Sequence, residues 1–235
     1  MDVDAVGELL GTVKPAVVVY LARPDLGDAD ALDAAVLGVR RFALACAGEG
    51  VERVIFASSA AVYGTSSPLP RRENERLEPG GSYALLKLRS ELALADVAAE
   101  TGMSTTSLRI FNAFGPGLAG SLVNRLALGV QPVPVVHLGP DFVRDYVHSS
   151  DVARAVVAAV DAPAESASVV NIGSGHGTSN DELLDAIQPA SFVPSAQPID
   201  PSYSIADISL ARAVLGYEAT VTPAMAAADP DRYLR

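Results

Sequence analysis

Three short stretches in the first half of the chain read as strands: the continuous apolar run "AVVVYLA" (16–22), then "RVIFASS" (53–59) and "STTSLRI" (104–110). An apolar run of this length fits a strand buried on both faces, as in parallel sheets. Between the first two runs, Leu32, Ala35, Val39, Phe42 and Cys46 recur at helical spacing, and Gly48 and Gly50 close that segment. Val3, Val6, Leu10 and Val13 predict a shorter helix, ended by Pro15. Parallel neighbours need a long crossover, and a helix is its usual form. The alternation therefore predicts an α/β fold on a doubly wound, Rossmann-like parallel sheet.

After Gly115-Pro116-Gly117 the texture changes. The pattern predicts a helix near 122–128, a strand near 133–138, and a strand then a helix within 143–160. Residues 168–187 read as strand, glycine turn and helix, with Ser179 and Glu182 at capping-box spacing. The tail, 192–217, reads as a strand, a proline-rich loop and a last helix ending at Gly216. With no internal repeat and no separating linker, residues 1–115 are expected to form a partial Rossmann-like core, and residues 116–235 a small C-terminal lobe intermixed with the remaining core elements, as substrate lobes often are.

Composition narrows the function classes. Of 235 residues, 49% are hydrophobic and 19% charged, the balance of a globular protein. A net charge of −11 argues against nucleic acid, whose phosphates are bound by Lys and Arg. No apolar run reaches the ~20 residues of a membrane span, and no basic-then-apolar leader opens the sequence. Cys46 is the sole cysteine, which fits a reducing compartment. These features predict a soluble, cytoplasmic protein. His137, His148 and His176 lack metal-ligand spacing, and no G-x-S-x-G elbow marks a hydrolase.

The stretch "SYALLK" (82–87) carries candidate chemistry. On a helix, Tyr83 and Lys87 share a face about 5–6 Å apart. A tyrosine of ordinary pKa, near 10, is a poor base at neutral pH. A neighbouring ammonium favours the phenolate and makes the tyrosine a competent general acid/base. Upstream, "VIFASSAAVYG" (54–64) reads as a buried strand ending in Ser58 and Ser59, at the strand end where open α/β sheets place ligands. A hydroxyl there can bond the oxygen that the tyrosine protonates; capping of the following turn is the alternative use of both serines.

Together with "LRIFNAFGPG" (108–117), "VRDYVHSSDVARAV" (143–156), "NIGSGHGTS" (171–179) and "ADISLARAVLGY" (206–217), these motifs stand in the order of one family. The chain resembles the extended short-chain dehydrogenase/reductases, the nucleotide-sugar epimerases, dehydratases and reductases that use NAD or NADP. The resemblance implies a Ser–Tyr–Lys set. Ser59 would orient substrate, Tyr83 would be the acid/base, and Lys87 would tune it and touch the nicotinamide ribose. It further implies Leu21 and Ala22 as lining for the cofactor, and Ser58, Asn112 and Arg144 as contacts to a sugar-nucleotide substrate. Arg144 would pair with a phosphate, as its fork geometry suits. Family members often pair through the two helices before and containing Tyr83, so a homodimer is expected, or a partner chain along the open edge of the first strand.

Three departures from the family pattern shape the expectation. The strand–glycine turn–helix (G-x-x-G-x-x-G) that grips the dinucleotide phosphates is not found, and the sheet is expected to be truncated at its N-terminal strands by roughly two βα units. Ala35 stands where the family often has Asn. Gln197, in "QPID" (197–200), stands where it often has a pyrophosphate-clamping Arg. The alternative is therefore a cofactor-free member that binds a ligand or partner, or that uses Tyr83 for non-redox acid/base chemistry.

Overall fold

Along the chain, the elements alternate as the apolar pattern requires. A computed structural model of the protein describes residues 3–22, 29–163, 168–197 and 200–235. The first half runs α1 (Val3–Val13), β1 (Val17–Tyr20), α2 (Ala29–Gly48), β2 (Arg53–Ser59), a 3-10 turn (Ala60–Tyr63), α3 (Gly81–Thr101) and β3 (Ser104–Ile110). There follow β4 (Asn112–Phe114), α4 (Leu122–Ala127), β5 (Val135–Val136), β6 (Phe142–His148), α5 (Ser149–Asp161), β7 (Val169–Ile172), β8 (Gly177–Ser179) and α6 (Asn180–Ile187). The chain closes with β9 (Val193–Pro194), β10 (Ser202–Ser204), α7 (Ser209–Leu215), α8 (Pro223–Ala228) and α9 (Pro230–Tyr233).

By contacts the chain divides into two compact units. The first takes residues 1–64, 76–109 and 156–170, and the second takes 65–75, 110–155 and 171–235.

In the first unit the strand order is β1-β2-β3-β7, with β1 and β2 parallel and Val17 opposite Arg53. The apolar face of α2 supplies Val39, Phe42, Ala43 and Cys46 to a core shared with Tyr20, Val54 and Phe56 from the strands and Leu94 and Val97 from α3. The Tyr20 ring centroid lies 4.7 Å from that of Phe42 and 5.8 Å from that of Phe56. Arg53 donates from Nη1 and Nη2 to the carbonyls of Ala162 and Val160, at 2.7 and 2.9 Å. That places a cation at the C-terminal carbonyls of α5, where the helix dipole favours it.

In the second unit β6 lies between β10 and β4, parallel to both, and β8 pairs antiparallel with β6. Its core joins Phe114, Val123, Leu126, Tyr146, Leu183 and Val221. Asp145 is fully buried and accepts bonds from the amides of Ser174, Gly175 and Ala206 and from the Ser174 hydroxyl, so one carboxylate ties the glycine turn to the chain before α7. Burial raises its pKa against the pull of those donors. Gly115 has φ +124°, and a Cβ there would stand 2.5 Å from Ser149 Oγ, so only glycine fits.

The expected elements appear, with shorter bounds in the second half: the strand near 133–138 is Val135–Val136 alone. The capping box at Ser179 and Glu182 forms as the spacing required. Three strands escaped the pattern (β4, β8 and β10), because three residues are too few to display a period of two. The chain also continues as helix beyond Gly216. Thr222-Pro223 and Asp229-Pro230 each place a capping side chain before a first-turn proline.

Candidate functional site

The first unit brings together Ser58, Ser59, Tyr83 and Lys87. Ser59 ends β2 in extended geometry (φ −147°, ψ 146°), and its Oγ accepts from the Ala61 amide at 3.2 Å. A hydroxyl that accepts retains its O–H to donate. The turn it opens closes at Gly64, φ +71°, where a Cβ would stand 2.7 Å from the Glu78 carbonyl. Glycine is what lets the chain turn away there.

Tyr83 lies in the first turn of α3 with 38% of its surface exposed, so its ring is open to a ligand. Lys87 is buried, and its Nζ donates to the carbonyl of Ala57 at 2.7 Å. The same Nζ sits 5.9 Å from the Tyr83 ring centroid and 4.8 Å from that of Phe56. The helical spacing thus delivers the expected neighbourhood of ring and ammonium. Leu21 and Ala22 follow β1 directly and are exposed, Leu21 to 64%.

Ser58 faces the other way. It is buried, and its hydroxyl donates to Glu91. Its Oγ is engaged inside the unit rather than offered at the surface where Tyr83 stands open.

In the second unit, Asn112 on β4 donates from Nδ2 to the Asp145 carbonyl at 3.0 Å, with Tyr146 opposite it in register. Arg144 on β6 is half-buried. Its guanidinium stacks 3.8 Å from the Phe142 ring centroid, Nη1 donates to the carbonyls of Val143 and Ser202, and Nη2 donates to Ser202 Oγ. Burial lowers its pKa. Phe142 also borders a cavity of about 270 Å³ with His137, Gly139, Asp141, Ser195 and Gln197. Of "QPID", Pro198 and Ile199 lie outside the described residues. His148 orders its surroundings, with Nδ1 at 2.7 Å from Ser150 Oγ and Nε2 at 2.7 Å from the Tyr233 carbonyl.

Sequence reasoning missed Glu91, Arg109 and Asp145. The signals existed: Glu91 lies four residues beyond Lys87, and Arg109 is a lone charge between Leu108 and Ile110 in a segment read as a strand. A charge inside a buried pattern implies a partner.

Residues 1–173 match a family described as the NAD dependent epimerase/dehydratase family. The UDP-glucose 4-epimerase of Rhizobium meliloti (strain 1021) is 29% identical, over 92% of this chain and 76% of that protein. The UDP-glucose 4-epimerase of Azospirillum brasilense is 31% identical over 74% of this chain, and the matched part spans only 58% of its length. Among solved structures, UDP-glucose 4-epimerase from Brucella ovis in complex with NAD has a TM-score of 0.83 and 29% identity, covering 98% of this chain and 82% of that one.

Proposed function

We propose that this chain, which belongs to the NAD-dependent epimerase/dehydratase family, transforms a hydroxyl-bearing carbon of a UDP-hexose, with NAD as cofactor. The observation that carries the reading is the lysine. Lys87 Nζ is held on the Ala57 carbonyl, two residues before Ser59 and one helical turn from Tyr83. That is the arrangement an acid/base tyrosine needs.

In this reading Tyr83, as phenolate, takes the proton of the substrate hydroxyl. Ser59 donates its O–H to the same oxygen and fixes where it lies. The Lys87 ammonium is the cation beside Tyr83, 5.9 Å from the ring centroid. Tyr83 later returns the proton to that oxygen. NAD, when bound, supplies the acceptor and donor of hydride. The residues present fit its nicotinamide end: Leu21 offers exposed apolar surface at the C-terminal end of a strand, beside Ala22, and Lys87 supplies a cation for the ribose hydroxyls. Its pyrophosphate is assigned to no residue, since the 235 residues contain no G-x-x-G-x-x-G turn between a strand and a helix. Asn112 and Arg144 are the proposed contacts to the substrate, Arg144 at a phosphate. Ser58 contributes from within, through Glu91.

Names of the relatives support UDP-glucose as the substrate to try first. Calorimetric titration with NAD⁺, then turnover of UDP-glucose by the chain and by its Tyr83→Phe variant, tests the reading. NAD⁺ binding with turnover that the variant loses is the expected result. No binding up to millimolar NAD⁺, or turnover that Tyr83→Phe leaves intact, overturns it. The first of those outcomes leaves the cofactor-free reading, in which the fold and the Ser–Tyr–Lys face serve a ligand, a partner or non-redox acid/base chemistry.

A homodimer through α2 and α3 belongs to the same proposal, supported by exposed Leu37, Leu85 and Leu92 on those helices. Sedimentation as a monomer at micromolar concentration would remove it. Among the described residues no helix is long and apolar enough to cross a membrane. The buried, unpaired Cys46 thiol supports a cytoplasmic setting.

A further inference from the structure

Residues 83, 87 and 91 fall on one face of α3, and the last two meet β2 in chain order: Lys87 holds the Ala57 carbonyl and Glu91 receives the Ser58 hydroxyl. Glu91 is itself held from β3. Arg109 reaches it through Nε, at 3.1 and 3.2 Å from the two carboxylate oxygens, and through Nη2 at 2.7 Å. The remaining arm of the guanidinium, Nη1, donates to the Tyr63 hydroxyl at 2.9 Å. Ser58, Tyr63, Glu91 and Arg109 are all buried, between 1% and 7% exposed.

The two ends of this network are informative. Ser58 directly precedes Ser59, and Tyr63 is the last residue of the 3-10 turn that Ser59 caps. The six residues 58–63 are thus held at both ends by one ion pair, with Ser59 inside the held segment. Burial works against the charge on Arg109, but the hydrogen bonds and charge of Glu91, and then Tyr63, outweigh it and raise its pKa. A buried ion pair is a poor way to gain stability, because desolvation consumes much of its attraction and apolar residues of like volume fill a core as well. It is, however, a directional way to fix where neighbouring groups stand, since a bidentate guanidinium–carboxylate pair tolerates little rotation.

We propose that Glu91 and Arg109 are positioning residues for the Ser59 hydroxyl, gripping its turn through Ser58 at one end and Tyr63 at the other. The proposal rests on the reading in which Ser59 orients a substrate oxygen. Neither residue touches substrate in it; they set the angle from which Ser59 donates. A turn freed at either end lets the Ser59 hydroxyl drift, and a misplacement of that order costs rate more than binding.

Ser58→Ala and Tyr63→Phe test this, because each removes one end of the grip and leaves the buried ion pair intact. Backbone amide hydrogen exchange of residues 59–64, against that of 54–56 and 106–108, is the first readout. The expected result is exchange at least about tenfold faster in the turn of each variant, with the strands unchanged. With UDP-glucose, kcat is expected to fall about tenfold and KM to stay within about twofold. Unchanged exchange in both variants, or a rise spread evenly over turn and strands, overturns the grip. Faster turn exchange with kcat unchanged, where Tyr83→Phe abolishes turnover, overturns its role in positioning. Exchange needs no turnover: if Tyr83→Phe proves silent while the turn loosens as expected, the proposed function falls and the grip stands.

Discussion

Nζ of Lys87 lies 2.7 Å from the carbonyl oxygen of Ala57, joining the second turn of α3 to the end of β2. A charge-assisted bond in a buried place holds the ammonium in one position. That position is 5.9 Å from the Tyr83 ring and two residues from Ser59, so one bond within the first unit sets the neighbourhood of the whole proposed set.

Replacing Tyr83 by Phe keeps the ring and removes the group that moves the proton. Turnover of UDP-glucose is expected to fall by about 10²–10⁴-fold. The thermal midpoint should stay where it is, because the ring is partly exposed. Initial rates at saturating substrate beside a circular dichroism melt check both.

Lys87→Met removes the charge near Tyr83 and strips the Ala57 carbonyl of this donor. Stability should drop by about 1 kcal/mol, the net worth of a hydrogen bond to a half-buried carbonyl. Urea unfolding measures it. An unfolding free energy within about 0.5 kcal/mol of the parent would show that the contact does not hold α3 to β2.

In the proposed role Arg144→Ala should weaken substrate binding, beside a loss of stability from its contacts with Phe142 and Ser202. Loss of a charge-assisted bond to phosphate, on the order of 1.5–3 kcal/mol, predicts a rise in KM for the UDP-sugar of roughly ten- to a hundredfold with kcat little changed. A fall in kcat at constant KM would place Arg144 in the chemistry instead.

Alkaline pH should loosen the fold, because burial raises the Cys46 thiol and the phenols of Tyr20, Tyr146 and Tyr217. Burial raises Cys46 from 9.0 to about 11 and Tyr146 from 10.0 to about 12. As pH rises, each group ionises first in the unfolded chain, which therefore gains stability relative to the folded one. The contribution is whole below the unfolded value and is lost by the time pH passes the folded value. Tyr146 alone accounts for on the order of 2–3 kcal/mol between pH 10 and 12. Urea midpoints across pH 8–12 should fall accordingly, and Tyr146→Phe should lessen the fall above pH 10, leaving the share of Tyr20 and Tyr217.

Much of this was legible in the sequence. β2 and β3 occupy the stretches "RVIFASS" and "STTSLRI" from end to end, because β-branched and apolar residues between helical segments favour a strand. Tyr83 and Lys87 share a face because the helical repeat is local and needs no distant partner. Likewise the capping box of Ser179 and Glu182 closes within four residues. Only the tertiary structure decided the rest. That Ser58 turns inward to Glu91 while Ser59 caps the turn follows from alternation along a strand whose buried side is defined by α3. That Asp145 gathers Ser174, Gly175 and Ala206 depends on segments up to 61 residues apart meeting at one carboxylate. Arg144 illustrates the limit most plainly, since its motif marks it for phosphate while its guanidinium here lies against Phe142 and Ser202. Local periodicity is written in neighbouring residues; the partner of a buried charge is chosen by the fold.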